Sequence, residues 1–350
     1  VNHLPEVSGT PQFVLAKIAN TSSKRIFLAS LQETNETPER NNLASYALSY
    51  AHNLCERRAR RDAETIFLFV LDAPESRFSS PVRCAALTGL ASCAGNRAFP
   101  RLMKGLASED AAFRSVVLRC SQSFKGQRYT NLLLAKAKEV DPVRRAEVVE
   151  MLGCRRDRSA LQGVRTFLGD PHPEVRMAAT RALVSLAPDE AAQWLAELLK
   201  SEQDPQVLQE VKASLLRLSK GVETALTLNY AAFTPAGKAT ALEVIGSRQY
   251  RSGLDVVRAA LSDETKAVRL AAVGAWAQIG TPEDLPALLR LLTQLSDDDE
   301  TSAVKKAIVA LSCQYPDHAG RLTALQEAWR SAQGQVRDHL KEVINAICAV

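Results

Sequence analysis

Apolar side chains return along this chain at helical spacing, in short bursts broken by proline, glycine or aspartate. The stretch from Asp170 to Lys200 shows the unit most plainly. Asp170, Pro171 and Pro173 predict a turn and a helix start, because a carboxylate caps free N–H groups and proline has none to leave unsatisfied. Val175, Ala178, Ala179, Ala182, Leu183 and Leu186 then form one apolar stripe, with small residues where helices can approach closely. Pro188 ends that helix, and a second from about residue 190 to 200 carries Leu195, Leu198 and Leu199. Helices this short cannot bury their apolar faces alone, so copies must stack. No stretch alternates with strand period over a useful length.

The copies are there. Ser80 to Leu87, Asp141 to Ala146, Pro173 to Leu183 and Lys266 to Val273 share a Val-Arg core followed by alanines. With that arginine as anchor, nine registers fall at Arg83, Arg114, Arg144, Arg176, Leu208, Gly237, Arg269, Lys305 and Arg337, at a mean step near 32 residues. Seven of the nine anchors are basic and seven follow a valine, which chance does not arrange. The expected fold is all-α: an α-solenoid, a right-handed superhelix of about ten stacked antiparallel helix pairs. The expected organisation is one continuous solenoid in three parts. Residues 1–62 hold divergent lead helices and a first repeat, 63–333 the regular array, and 334–350 a capping helix. Thr34 to Asn42 reads as a polar linker, and the 42-residue step from Asn41 to Arg83 as an insertion around Arg57 to Asp62.

The motif, Asp-(Pro)-x-Val-Arg-x-Ala-Ala-x-x-Ala-Leu followed by a turn and Pro-x-Leu-x-x-Leu-Leu, resembles the HEAT-like repeats of phycobilisome-lyase subunits. The resemblance is close at 170–200 and 263–293, good at 80–107 and 141–169, and faint at 204–260 and 1–60. It implies a ladder of Asp–Arg pairs between neighbouring repeats, here Asp141/Arg144, Asp170/Arg176 and Asp263/Arg269, interrupted at Leu208 and Gly237. Such a fold hosts many tasks, so function does not come with it.

Composition agrees with thin, repeated interfaces: 46% of residues are hydrophobic but only 5% aromatic. No apolar run is long enough to span a membrane. The seven cysteines are widely spaced with no C-x-x-C, so free thiols are expected, which leans towards a reducing, cytoplasmic setting. Cys93 and Cys154 stand two repeats apart at equivalent turns. The net charge of +5 divides unevenly: residues 1–175 hold 25 Lys+Arg against 18 Asp+Glu, and residues 176–350 hold 19 against 21. Arg57, Arg58, Arg60 and Arg61 form one basic group, and Arg155, Arg156 and Arg158 a second. With Trp194, whose register elsewhere holds surface-type residues, they are the candidate partner contacts; Trp276 and Trp329 fall on core stripes.

No catalytic, cofactor or metal site is expected. The five histidines are scattered and no His-Glu pair occurs, so the di-iron HEAT enzyme deoxyhypusine hydroxylase is not matched. No P-loop, G-x-S-x-G or H-E-x-x-H is present. One such tryptophan does not make the aromatic, basic groove of a HEAT-like DNA glycosylase. Asp297 to Glu300 lacks the alternation of a calcium loop. The leading expectation is a non-catalytic scaffold that binds a protein on its concave face, lined by the helices that start at the anchors. A nucleic-acid binder using the arginine groups and a bilin lyase-like subunit are the alternatives; the oligomeric state and the partner's identity are left open.

Overall fold

Proline, a capping side chain, or both open most of the helices that begin at the anchors. Asp110, Asp141, Asp204, Thr234 and Asp297 each accept a hydrogen bond from a main-chain N–H in the first turn of the helix that follows. Pro142, Pro173, Pro205 and Pro235 are the first residues of theirs, where the missing N–H costs nothing. The computed structural model describes residues 16–17, 20–33, 37–314 and 318–348. Among them there is no strand. The fold is an all-α helical-repeat solenoid.

The chain divides into two compact units, 1–164 and 165–350. In the first, the anchor helices Thr37–Glu56, Ser80–Ala94, Ala111–Ser121 and Pro142–Cys154 pack each on the next. A second layer, Arg60–Asp72, Phe99–Gly105 and Gln127–Glu139, packs each against the anchor helix that follows it. In the second unit the anchor helices are Pro173–Leu186, Pro205–Arg217, Pro235–Ser247, Lys266–Ile279, Asp298–Ser312 and Gly334–Cys348, again stacked in sequence. Its outer layer includes Pro188–Leu198, Val222–Asn229, Leu254–Ala260, Leu285–Gln294 and His318–Ser331.

The core follows the apolar stripes. Val175, Ala178, Ala179, Ala182, Leu183 and Leu186 are all buried, as are Leu195, Leu198 and Leu199. Small residues permit the close crossings: a Cβ on Gly246 would press against the Ala275 backbone at 2.9 Å, so helices Pro235–Ser247 and Lys266–Ile279 nearly touch. Trp276 is buried, and Trp329 is half-buried on the same core with the Arg337 guanidinium 4.3 Å from its ring centroid.

Three expectations need correcting. The presumed linker from Thr34 to Asn42 is helical from Thr37 onward, with Pro38 at its second position, so the polar stretch opens a helix there and does not link two. The presumed insertion around Arg57 to Asp62 is absent, because only residues 57–59 separate two helices. The extra length sits in the 20-residue helix Thr37–Glu56 and in the loop before Ser80. That misplacement hid the third feature, a disulfide between Cys55 and Cys93. Both cysteines end successive anchor helices, with Cα atoms 5.7 Å apart, well within reach of a disulfide. The expectation of free thiols fails for this pair, and the lean towards a reducing compartment loses its basis. Cys84, Cys120, Cys154, Cys313 and Cys348 are free.

Candidate functional site

The anchor arginines are mostly spent on holding repeats together. Arg176 donates from Nε and Nη2 to the two Glu202 oxygens at 2.6 and 2.9 Å, and from Nη1 to the main-chain oxygens of Asp170 and Pro171. Arg114 repeats the pattern with Glu147 at 3.0 Å and the carbonyls of Ser108 and Glu109. Arg269 does so with Glu300 at 2.6 Å and the carbonyls of Asp263 and Glu264. The carboxylate that answers each of these forks is therefore a glutamate some 26 to 33 residues on. Arg144 is the variant rung: it pairs with Asp141 at 2.7 Å and with Glu109 at 2.6 Å.

This corrects the implied Asp–Arg ladder in detail. Arg269 meets Asp263 only through its main-chain oxygen, while the Asp263 carboxylate pairs with Lys238 at 2.9 Å. Capping is the reason: Asp263 also accepts from the Thr265 N–H, which turns its side chain into the loop and away from its own arginine. Burial works against the Glu202 charge, yet hydrogen bonds from Arg176 and from the Asp204 and Gln203 N–H groups outweigh it and hold the carboxyl below its usual range.

The gaps at Leu208 and Gly237 have a steric cause. A Cβ at Gly237 would collide with the Leu199 carbonyl oxygen, to which Thr234 N–H donates at 3.2 Å, so the backbone itself occupies the space an anchor side chain would need. Leu208 turns into the core. Across this stretch the stacking charges move to neighbouring positions, as Lys212–Glu243 at 2.6 Å and Lys238–Asp263 at 2.9 Å.

The two arginine groups fare differently. Arg57, Arg58, Arg60 and Arg61 are all exposed in and after the turn that ends helix Thr37–Glu56. In the second group Arg156 and Arg158 are exposed, but Arg155 is not a surface residue at all: it is 2% exposed. Its Nη2 donates to the Phe124 carbonyl oxygen and to Asp157, and its Nη1 to Thr130 Oγ1 at 3.2 Å. Asp157 in turn accepts from Gly126 N–H at 2.5 Å and Ser159 N–H at 3.1 Å, so Arg155 is the centre of a buried clasp between two turns. Arg58 and Arg156 share another role. Both have positive φ, 67° and 51°, at the position where other repeats place Gly95, Gly126 and Gln249 in positive-φ conformations. Trp194, expected on the surface, is half-buried under the Arg165 guanidinium, 5.6 Å from its ring centroid. The arginine comes from the short helix Leu161–Thr166 and covers one face of the ring.

What remains open is the face between successive anchor helices. A groove of about 700 Å³ lies between Thr37–Glu56 and Ser80–Ala94, edged by Ser45, Ser49, His52, Asn53, Thr88 and Ser92. A second, about 440 Å³, lies between Pro235–Ser247 and Lys266–Ile279. Among the described residues no group of three or more His, Cys, Asp or Glu is placed to hold a metal ion, and no helix is long and apolar enough to cross a membrane. Sequence reading missed Glu147, Glu202 and Glu300; their roughly one-repeat offset from basic anchors was the available signal.

Stacked helix pairs held by a fork-and-carboxylate ladder define a helical-repeat protein. More narrowly, residues 130–215 and 225–312 match the family model for HEAT repeats, and the chain is a HEAT-like repeat protein. No curated protein matches. Among solved structures, human deoxyhypusine hydroxylase in complex with glycerol is similar at 18% identity over 75% of this chain and 100% of that one, with a TM-score of 0.33. The complex of CpcE and CpcF of phycocyanin lyase from Nostoc sp. PCC7120 matches at 16% identity over 71% and 94%, TM-score 0.26. A tubulin-recruiting TOG domain array matches at 11% over 97% and 98%, TM-score 0.34. At these scores the likenesses carry nothing about activity.

Proposed function

We propose that this protein is a non-catalytic interaction scaffold that binds a protein partner along the face formed by its anchor helices. One observation supports this most: the ladder holds Arg114, Arg176 and Arg269 between repeats, while the groove between Thr37–Glu56 and Ser80–Ala94 stays open and is edged by hydroxyl, amide and imidazole groups. Such edges suit the main-chain and polar groups of a polypeptide. In this reading residues 63–333 are the working array between a lead segment, 1–62, and a cap, 334–350. The nucleic-acid alternative now rests on Arg57, Arg58, Arg60 and Arg61 with Arg156 and Arg158, since Arg155 is withdrawn into the interior.

Photocrosslinking side chains at Ser49, Thr88 and Leu270 on the anchor face, compared with Lys138 on an outer helix, test the proposal. Crosslinks to one defined partner from the anchor positions only are expected. Equal labelling from Lys138, or turnover of a small molecule by the pure protein with no stable partner, overturns it.

A further inference from the structure

One rung of the ladder is unfinished. Arg83 is 6% exposed, as deeply placed as Arg114, yet it makes a single hydrogen bond, from Nη2 to Glu75 at 2.7 Å. Its Nε is buried and has no partner. Arg114 and Arg176 each make four bonds from the same register. The cause is that Glu75 reaches only Nη2 and no carboxylate answers the Nε side. Glu202, which satisfies Arg176, stands six residues before the next anchor, Leu208; the residue six before Arg114 is Ser108, which is too short and donates to Glu75 instead. Glu109, the next candidate along, is drawn forward to Arg144.

The space left is real. A pocket of about 220 Å³ is lined by Glu75, Arg83, Arg101, Lys104, Gly105, Ala107, Ser108 and Phe113. Phe113 floors it, with the Arg83 guanidinium 4.6 Å from its ring centroid. Three cationic side chains converge there against Glu75, which lies on the Nη2 side, and Asp72, which pairs with Arg101 at 2.7 Å. An unpartnered Nε also occurs at Arg144 and Arg155, but there both Nη groups are bonded, whereas Arg83 bonds only through Nη2, to Glu75. The open side of its fork faces no second carboxylate, and planar carboxylates are what such forks take elsewhere in this molecule.

We infer that this pocket binds a carboxylate side chain of an acidic partner polypeptide, which completes in trans the rung that every complete repeat closes in cis. The inference rests on the scaffold reading and gives the partner its chemistry: an aspartate or glutamate inserted between Arg83, Arg101 and Lys104. Ser108→Glu supplies the missing carboxylate from within and closes the pocket.

The test is fluorescence anisotropy of the full chain with a fluorescein-labelled Glu-Glu-Glu-amide peptide, against the Gln-Gln-Gln peptide, at low salt. The acidic peptide binds and the neutral one does not. Ser108→Glu weakens binding at least tenfold while leaving the circular dichroism spectrum unchanged, and Lys104→Gln, an exposed change that cannot unfold the protein, weakens it several-fold. In 15N-labelled protein the Arg83 Nε–H resonance moves on titration. No binding of the acidic peptide, or equal binding by Ser108→Glu, overturns the inference. Competition by inorganic phosphate at lower concentration than acetate overturns the carboxylate assignment. Failure of the scaffold reading is separate: a partner crosslinked from the anchor face that binds Ser108→Glu as tightly as the parent sinks this site and leaves the scaffold standing, whereas peptide binding with no crosslinked partner does the reverse.

Discussion

Replacing Arg176 with alanine removes the best-formed rung of the ladder, and its cost is calculable. Glu202 has a side chain only 4% exposed and accepts two hydrogen bonds from the guanidinium, at 2.6 and 2.9 Å. Stripping one partner from a buried ion pair typically costs about 3–5 kcal/mol, because the other charge stays buried. Here Glu202 keeps two N–H donors, from Gln203 at 3.0 Å and Asp204 at 2.9 Å, so the lower end applies, about 3 kcal/mol. The pH dependence identifies the source. The folded state holds Glu202 below its unfolded pKa, so its contribution is complete above the unfolded value and is lost as pH falls through the folded one. In Arg176→Ala the folded pKa rises, and once Glu202 is protonated the absent arginine matters less. Urea unfolding followed by circular dichroism should therefore show a gap between parent and variant of about 3 kcal/mol at pH 7, narrowing as pH falls through the lowered folded pKa of Glu202. A cycle with Glu202→Gln should give a coupling of about 2 kcal/mol. A gap under about 1 kcal/mol at pH 7, or one that does not narrow in acid, refutes the reasoning.

Other consequences are simpler to state. Arg155→Met breaks the clasp on Phe124, Thr130 and Asp157 and should cost about 3 kcal/mol in urea unfolding, whereas Arg158→Met at the exposed neighbour should stay within about 0.5 kcal/mol. Arg156→Gly relieves a left-handed backbone at φ 51° and should stabilise the protein by up to about 1 kcal/mol, read as a rise in melting temperature. Reduction of Cys55–Cys93, or Cys55→Ser, releases a 38-residue closure and should cost about 2–4 kcal/mol, with no thiol-dependent change left in the serine variant. Gly237→Arg restores the consensus anchor yet should destabilise by more than about 1 kcal/mol, because the side chain meets the Leu199 carbonyl; unchanged stability would contradict that contact.

How much of this was legible depends on whether a feature lives in one repeat or between two. The period, the anchor helices, their caps and the buried stripe from Val175 to Leu186 are local, and periodicity with cap chemistry exposes them. Arg155 was misread because a run of arginines looks like a surface; only the partner groups at Phe124 and Thr130, about one repeat earlier, show that it turns inward. Cys55 and Cys93 were missed for a related reason. The longer first anchor helix shifts Cys55 out of numerical register, although three-dimensional register brings the two Cα atoms to 5.7 Å. The glutamates of the ladder were hidden because they take three different positions relative to the next anchor: six before it for Glu202, five before it for Glu300 and three after it for Glu147. A fixed-offset motif cannot find a partner whose offset varies while its atoms converge on the same fork.

That variability bears on how a repeat array acquires a binding site. A fork held by each anchor arginine is a constant demand for a carboxylate, and the chain meets it from whichever loop position can reach. Where backbone fills the space, as at Gly237, the arginine is given up and Lys212 and Lys238 carry the stacking charge instead. Where neither solution is taken, as at Arg83, the guanidinium remains in place with Nε unsatisfied, because Phe113 and Glu75 hold it there. A buried unsatisfied donor costs free energy at every moment the pocket is empty. Binding a carboxylate recovers that cost, so the same interaction that stabilises the fold at Arg114, Arg176 and Arg269 becomes affinity at Arg83. Stability and recognition in this protein then trade through a single position: Ser108→Glu should raise the melting temperature and lower the affinity for an acidic peptide together, and a variant that changed one without the other would separate the two roles.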